Sequence, residues 1–319
     1  MVRPLISLSV IALFAVLVAL ALGSVNVSFP ELWQVIQGEG SVLNRTLLLD
    51  LRLPRTLAAF ATGGLLAVAG ALMQVLLRNP LADPYVLGLS GGAAVGALLA
   101  MLAGMGTLLI SGSAFAGAML ATLLVFGIAH GTGSWTPSRL LLTGVVVAAG
   151  WGAVITLMLA ITPSYKLPGM LYWLMGDVSY ARTPWPALVV LVCSVVLIMP
   201  LARNLNVLAR GPLQAAALGV SVRPLEWTIY LFASLLTATA VTTAGSIGFV
   251  GLIVPHMLRL VLGNDQRIIL PASALAGGTL LVLADTLART VIAPEQLPVG
   301  VITALLGVPT FLYLLHRSR

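Results

Sequence analysis

Apolar residues run along this chain in long unbroken blocks, and the polar residues gather between them. The blocks are Leu5–Leu22, Leu57–Leu77, Leu140–Ile161, Trp185–Leu201, Trp227–Leu258, Ile268–Ala288 and Val299–Leu315. A further stretch, from Tyr85 to Ser138, holds no Asp, Glu, Lys or Arg. A helix needs roughly 20 apolar residues to cross a bilayer, so most blocks predict one span each. The stretch from Tyr85 to Ser138 is too long for one crossing. Gly104, Gly106 and Ser111-Gly112-Ser113 predict a hairpin inside it. Alternation with period two, which a membrane barrel would show, is missing, so the runs predict helices.

The segments between blocks carry their own signals. Phe29-Pro30-Glu31-Leu32-Trp33 predicts a short interfacial helix with proline in its first turn. Asn79-Pro80-Leu81-Ala82-Asp83-Pro84 stops the second span, because two close prolines cannot continue a helix. Leu171-Tyr172-Trp173-Leu174-Met175-Gly176 suits an aromatic belt at the membrane interface. Ala202–Glu226 is a more polar loop. Leu5–Leu22 also admits a cleaved signal peptide, with Ala19 and Ala21 near the cut, but the polytopic remainder favours a span.

Composition agrees: 60% of the residues are hydrophobic and 8% are charged. A soluble domain carries about 25% charged residues. The net charge of +7 does not mark a nucleic-acid binder, because the basic residues are scattered over many loops. Charge also decides how Trp227–Leu258 is divided. If it turns at Gly245-Ser246-Ile247-Gly248 into two spans, the total is about ten and both termini share a side. That side then holds Arg3, Arg78, Arg139, Arg203, Arg210, Arg223, Arg259, Arg267, Arg317 and Arg319, ten of the sixteen basic residues. Arg45, Arg52, Arg55, Lys166, Arg182 and Arg289 fall opposite. The positive-inside rule places both termini in the cytoplasm. The expected fold is an all-α polytopic membrane protein, a single permease domain over 1–319.

Catalytic chemistry is missing from the pattern. There is no phosphate-binding loop, no His-Glu-x-x-His pair, and Cys193 stands alone. His256 reads as a capping or packing histidine rather than a metal ligand. No span carries a charge at its centre; Asp285 and Arg289 read as an ordinary i, i+4 pair near an outer helix end. Ion-coupled carriers keep ionisable groups at mid-membrane, so an external motor is expected. Gly63-Gly64, Gly70, Gly88, Gly91-Gly92 and Gly96 predict close helix packing. Pro255 and Pro309 predict loosened or kinked helices. No internal repeat is visible.

Specific motifs then add to this reading. Arg52-Leu53-Pro54-Arg55-Thr56-Leu57, Gly70-Ala71-Leu72-Met73-Gln74, Asn79-Pro80-Leu81-Ala82-Asp83-Pro84 and Leu87-Gly88-Leu89-Ser90-Gly91-Gly92-Ala93 occur in order. Ser138-Arg139-Leu140-Leu141-Leu142, Gly245–Leu252, Val254-Pro255-His256-Met257-Leu258-Arg259 and Leu297–Thr303 with Gly307 complete the set. Over nearly its whole length the chain resembles the permeases of type II ATP-binding-cassette importers for iron-siderophores, haem and cobalamin. The resemblance implies about ten spans, a second, identical permease subunit, and two cytoplasmic ATPase subunits. Those subunits, not this chain, bind ATP and Mg. It also implies a periplasmic substrate-binding protein and a place in the bacterial inner membrane.

The resemblance further implies roles for particular residues. Arg52, Arg55 and Arg289 match outer-face arginines that dock acidic residues of the binding protein. Asn79 and Leu81 match an inner gate, and Thr136, Pro137 and Ser138 a second constriction. Cobalamin permeases tend to carry a hydroxyl where Pro137 stands. Leu213, Gln214, Ala216, Leu218, Gly219 and Val220, in the loop of about 203–226, match the helix that couples to the ATPase. The acid that family members often carry near Pro212-Leu213 is missing here. The chain itself is expected to be no enzyme and to hold no cofactor or metal. Leu171–Gly176 leans toward the cobalamin-like members. A secondary transporter or exporter of small amphipathic molecules is the alternative, and an intramembrane charge would mark it. A membrane enzyme would need clustered catalytic groups in the spans.

Overall fold

A computed structural model describes residues 2–23, 25, 27–130, 136–179, 181 and 183–317. Arg182 and Arg319, both used in the charge argument, lie outside the described residues, as does the side chain of Pro137. The described residues form helices without strands. In chain order these are α1 (Val2–Ala21), α2 (Phe29–Gln37), α3 (Val42–Arg45), α4 (Leu53–Leu76), α5 (Leu89–Leu102), α6 (Thr107–His130), α7 (Pro137–Ile161) and α8 (Leu167–Met175). They continue as α9 (Trp185–Ile198), α10 (Ala202–Leu208), α11 (Pro212–Ala217), α12 (Val222–Ala244), α13 (Val250–Leu262), α14 (Gln266–Thr290) and α15 (Val299–Arg317). A π-helical stretch, Thr46–Arg52, joins α3 to α4, and 3₁₀ turns occupy Pro84–Leu87 and Met199–Leu201. Among the described residues, seven segments are long and apolar enough to cross a membrane, and α5, α13 and α15 are shorter apolar helices.

α4 is the hub, buried on nearly all sides. α14, α12, α13 and α9 pack around it, and α1 lies on α14 through Ala12, Ala15 and Ala19. Lipid is as apolar as leucine, so apolar burial does little to hold such helices together; close van der Waals contact must do it. The glycines supply that contact. A Cβ on Gly63 would strike the Gly277 carbonyl of α14, and one on Gly70 would strike the Gly251 carbonyl of α13. α5 and α6 form a hairpin in the same way, with Gly92 against Gly117 and Gly96 against Ser113. Ala93 and Ala97 of α5, Ala114 and Ala118 of α6, and Ala238 and Val241 of α12 fill a second small-residue core. At the other end of α6, the Phe126 ring lies tilted against Trp227, their centroids 3.8 Å apart, and Tyr230 donates its hydroxyl to the Thr122 carbonyl at 2.7 Å.

Several expectations need correction. The α5–α6 turn is confined to 103–106, and Ser111-Gly112-Ser113 lies inside α6. Helix does not stop at Leu201: it runs on through Leu208, because Met199-Pro200-Leu201 makes one 3₁₀ turn rather than a break. The loop expected over Ala202–Glu226 shrinks accordingly to a short segment around α11. α13 and α15 continue through Pro255 and Pro309, which leaves the expected loosening or kink compatible with unbroken helices. The break between Ala244 and Val250 falls where Gly245-Ser246-Ile247-Gly248 predicts it.

Candidate functional site

Four helix ends meet beside the body of α4. They are the turn before α5, the end of α8, the α12–α13 break and the start of α15. The turn at 79–88 is built by its own side chains. Asn79 accepts from the Leu81 amide at 2.9 Å, and Asp83 accepts from the Tyr85 amide at 2.7 Å. Gly88 then takes a left-handed φ of 72° to launch α5. From this turn the Tyr85 hydroxyl accepts the Ile247 amide at 3.2 Å, within the α12–α13 break. The Asp177 amide donates to the Ala244 carbonyl at 2.8 Å, and the Gly300 amide to the Gly176 carbonyl at 3.2 Å. Phe249, at φ 70°, lays its ring on Gly307 of α15. Irregular backbone at membrane depth is tolerated where protein or a water-filled cavity satisfies it. Broken helices of this kind are where transporters bend and bind.

The expected inner-gate residues fall on two segments, this turn and the start of α7. Asn79 and Leu81 are half-buried in the turn; Thr136 and Ser138, at the start of α7, are exposed. Thr136 caps α7 by accepting the Arg139 amide. Asn79 and Leu81 bond within their own turn instead of reaching across to Thr136 or Ser138. α7 touches the turn higher up, where Gly144 admits the Val86 carbonyl. α7 is apolar all round, yet little of it is covered: Leu142, Val145 and Val146 are exposed.

At the opposite end of α4 the three docking-candidate arginines line one polar pocket of 550 Å³ with Asp50, Ser179 and Gln296. The π-helical stretch ends at Arg52, which is buried and donates to the carbonyls of Leu20 (2.6 Å), Ala21 (3.1 Å) and Val25. It thereby ties the end of α1 to the start of α4. Arg55 grips Asp285 with two nitrogens and donates to Gln296 at 2.7 Å. Arg289 reaches the same Asp285 carboxylate at 3.1 Å and the Ala19 carbonyl at 3.2 Å. Asp285 and Arg289 are therefore not an ordinary surface pair: both are buried, and Asp285 is shared between two guanidiniums. The sequence distance from Arg55 to Asp285 hides this from any local pattern. Three arginines against Asp285 and Asp50 leave the pocket positive.

Replacing Asp285 by alanine strands the buried Arg289 guanidinium and removes the main partner of the partly buried Arg55. Removing one partner of a buried ion pair costs about 3–5 kcal/mol. The expected outcome is a fall in melting midpoint on the order of 10 °C in detergent, with Asp285→Asn intermediate. A shift of a degree or less in a thermal melt would show that the network carries no stability.

On the α11 side, the short helix Pro212–Ala217 comes after Gly211 and ends at Gly219, whose φ is 78°. Ala215 is buried under it, while Leu213 is 86% exposed and Leu218 71%. Gln214, Ala216 and Gly219 are exposed and Val220 is half-buried. Leu213 on this helix and Leu218 just after it are thus two bare leucines outside the apolar spans.

Nearby, Asp265 caps α14 by accepting the Arg267 amide at 3.0 Å, pairs with the Arg267 guanidinium at 2.6 Å, and accepts from Asn206 at 2.9 Å. The Arg267 side chain, then Asn206, hold its carboxyl well below the usual carboxylate range. A depressed acid contributes stability above its unfolded pKa of about 3.9. That contribution is lost as pH falls below about 4 toward the folded value. Asp265→Asn keeps the cap oxygen but not the charge, so its melting midpoint is expected to fall less between pH 5 and 3 than that of the parent. Parallel pH curves would refute the assignment.

Among the described residues no group of His, Cys, Asp and Glu could hold a metal ion, and His256 has no such company.

The comparisons with known proteins agree with one another. The profile of the FecCD transport family matches residues 11–317. The hemin transport system permease protein HmuU of Yersinia pestis is 38% identical over 330 residues, covering 100% of this chain and 97% of that protein. The vitamin B12 import system permease protein BtuC of Escherichia coli O9:H4 is 38% identical over 321 residues, covering 100% and 96%. A solved structure described as an inward-facing conformation of a metal-chelate type ABC transporter superposes with a TM-score of 0.89. It is 28% identical, covering 99% of this chain and 100% of that one.

Proposed function

Because the chain belongs to the FecCD transport family, we propose that it is the permease subunit of an ATP-driven importer of metal chelates. It is a multi-pass protein of the bacterial inner membrane. The observation that carries this reading is the family match over almost the entire chain, together with close relatives named for hemin and vitamin B12. Its cargo belongs to that class of metal chelates: haem, cobalamin or an iron-siderophore. The chain supplies a path and a switch, and ATP is bound and hydrolysed on a separate subunit.

The same reading assigns the parts. Both termini and α11 face the cytoplasm, in keeping with the excess of arginine on that side. Two copies of the chain enclose the pathway, each offering the uncovered apolar surface of α7. α11, with Leu213 and Leu218 outward, seats in the ATPase. Motion of that subunit moves α11, and the turn bearing Asn79 and Leu81 and the start of α7 at Thr136, Pro137 and Ser138 alternately close the inner end. At the outer end, the positive pocket around Arg52, Arg55 and Arg289 receives acidic side chains of a periplasmic binding protein. Such pairs steer encounter and fix orientation more than they add affinity.

Co-expression with its partner ATPase is the test. A complex of two permease and two ATPase chains, whose ATP hydrolysis rises when the binding protein is added, is the expected result. A permease that purifies without the ATPase and leaves its hydrolysis unchanged would refute the reading.

A further inference from the structure

A second polar pocket, of 580 Å³, lies where the end of α4, the end of α10, the α13–α14 loop and the start of α14 come together. Three guanidiniums line it: Arg78, Arg210 and Arg259. Each carries five N–H donors. Arg259 uses two nitrogens, on the Gln74 side chain and the Ala71 carbonyl. Arg78 and Arg210 are exposed, and their guanidiniums keep their donors open among the described residues. The acids nearby do not balance them. Asp265 is already held by Arg267 and Asn206, and Glu226 of α12 lies within electrostatic reach of Arg78. Arg78 also sits at φ 50°, a backbone position where glycine is the unstrained choice.

A further observation narrows the ligand. Gln266 lines the same pocket, is 2% exposed, and its Oε1 has no hydrogen-bond partner. Its backbone is fixed, because the Gln266 amide donates to Asn206 at 2.8 Å. An orphaned buried acceptor asks for a donor from whatever fills the pocket. The cavity therefore offers open guanidinium donors and one buried acceptor. A phosphate that carries a hydroxyl satisfies both. Basic pockets between helix ends on the cytoplasmic side suit anionic lipid headgroups.

We propose that the pocket of Arg78, Arg210, Arg259 and Gln266 is a binding site for a hydroxyl-bearing phosphate, supplied by an anionic phospholipid headgroup or by free phosphate. Occupancy would bridge the ends of α4, α10 and α14, next to α11.

The full chain in an uncharged detergent, at fixed ionic strength, is titrated with short-chain phosphatidylglycerol, short-chain phosphatidylcholine and inorganic phosphate. The melting midpoint reports binding, since a ligand of the folded state raises it. A saturable rise with phosphatidylglycerol or phosphate, and none with phosphatidylcholine, is expected. Saturation by the lipid alone identifies the headgroup as the source; equal saturation by inorganic phosphate identifies free phosphate. Arg78→Gln and Arg210→Gln should each raise the half-saturating concentration about tenfold, the loss expected for one charge-assisted hydrogen bond. Arg203→Gln removes a charge outside the pocket and should leave it unchanged. Arg210 is exposed and decides alone if the Arg78 variant does not fold. No response to any probe, equal response to phosphatidylcholine, or an equal loss in Arg203→Gln would overturn the site.

Discussion

Gly70→Val is expected to leave no folded protein to extract. Gly70 lies in the body of α4, the most enclosed helix, against the backbone of Gly251 in α13. A Cβ there would overlap the Gly251 carbonyl, and backbone cannot swing aside as a side chain can. The approach is close from the α13 side as well, because a Cβ on Gly251 would crowd the Leu66 carbonyl of α4 and the Pro84 ring. Overpacking a core costs about 1–3 kcal/mol when side chains can adjust. Here two helices must separate, so the cost approaches the total stability of about 5–15 kcal/mol typical of folded proteins. Gly112→Val is the matched control, since a Cβ on Gly112 meets nothing within 4 Å. Size-exclusion profiles after detergent extraction check this: a monodisperse peak for Gly112→Val and none for Gly70→Val. Equal peaks would mean that the α4–α13 contact does not hold the fold.

The double substitution of Leu213 and Leu218 by aspartate is expected to separate folding from transport. Both side chains are exposed, so the isolated chain loses no packing and should melt as before. If α11 seats in the ATPase, the same change buries two carboxylates in an apolar contact. Interface hot spots lose about 2–4 kcal/mol on substitution, equivalent to a roughly 30- to 1000-fold loss of affinity. Pull-down of the ATPase and transport should both fall by about two orders of magnitude. Retained association would assign the leucines elsewhere.

Length and hydropathy made most of the helices legible, because a spanning segment must be long and apolar whatever it packs against. The glycine motifs were also informative, and the fold gives their physical reason. Gly70 and Gly251 touch each other, Gly300 admits the Met175 carbonyl, and Gly307 admits the Phe249 ring. Local pattern could not reveal that α5 and α13 are short, since the chain's path beyond each of them is set by neighbours in space. It could not reveal that Arg52 is spent on the carbonyls of Leu20, Ala21 and Val25, nor that Arg55 and Arg289 share Asp285. Those partners are tertiary. The extension of α9 into α10 was hidden for a different reason: Pro200 reads as a stop, but a single 3₁₀ turn accommodates it. α11, by contrast, was findable from Gly211-Pro212 and Gly219, which fit a helix start and end.

On the proposed function, this chain is a passive gated path, driven by an ATPase partner and supplied by a binding protein. Proteoliposomes holding the permease and its ATPase, with chelate-loaded binding protein added, test it most directly. Uptake should require both ATP and the binding protein, and should be indifferent to a proton or sodium gradient. Uptake driven by an ion gradient in the absence of ATP would contradict it.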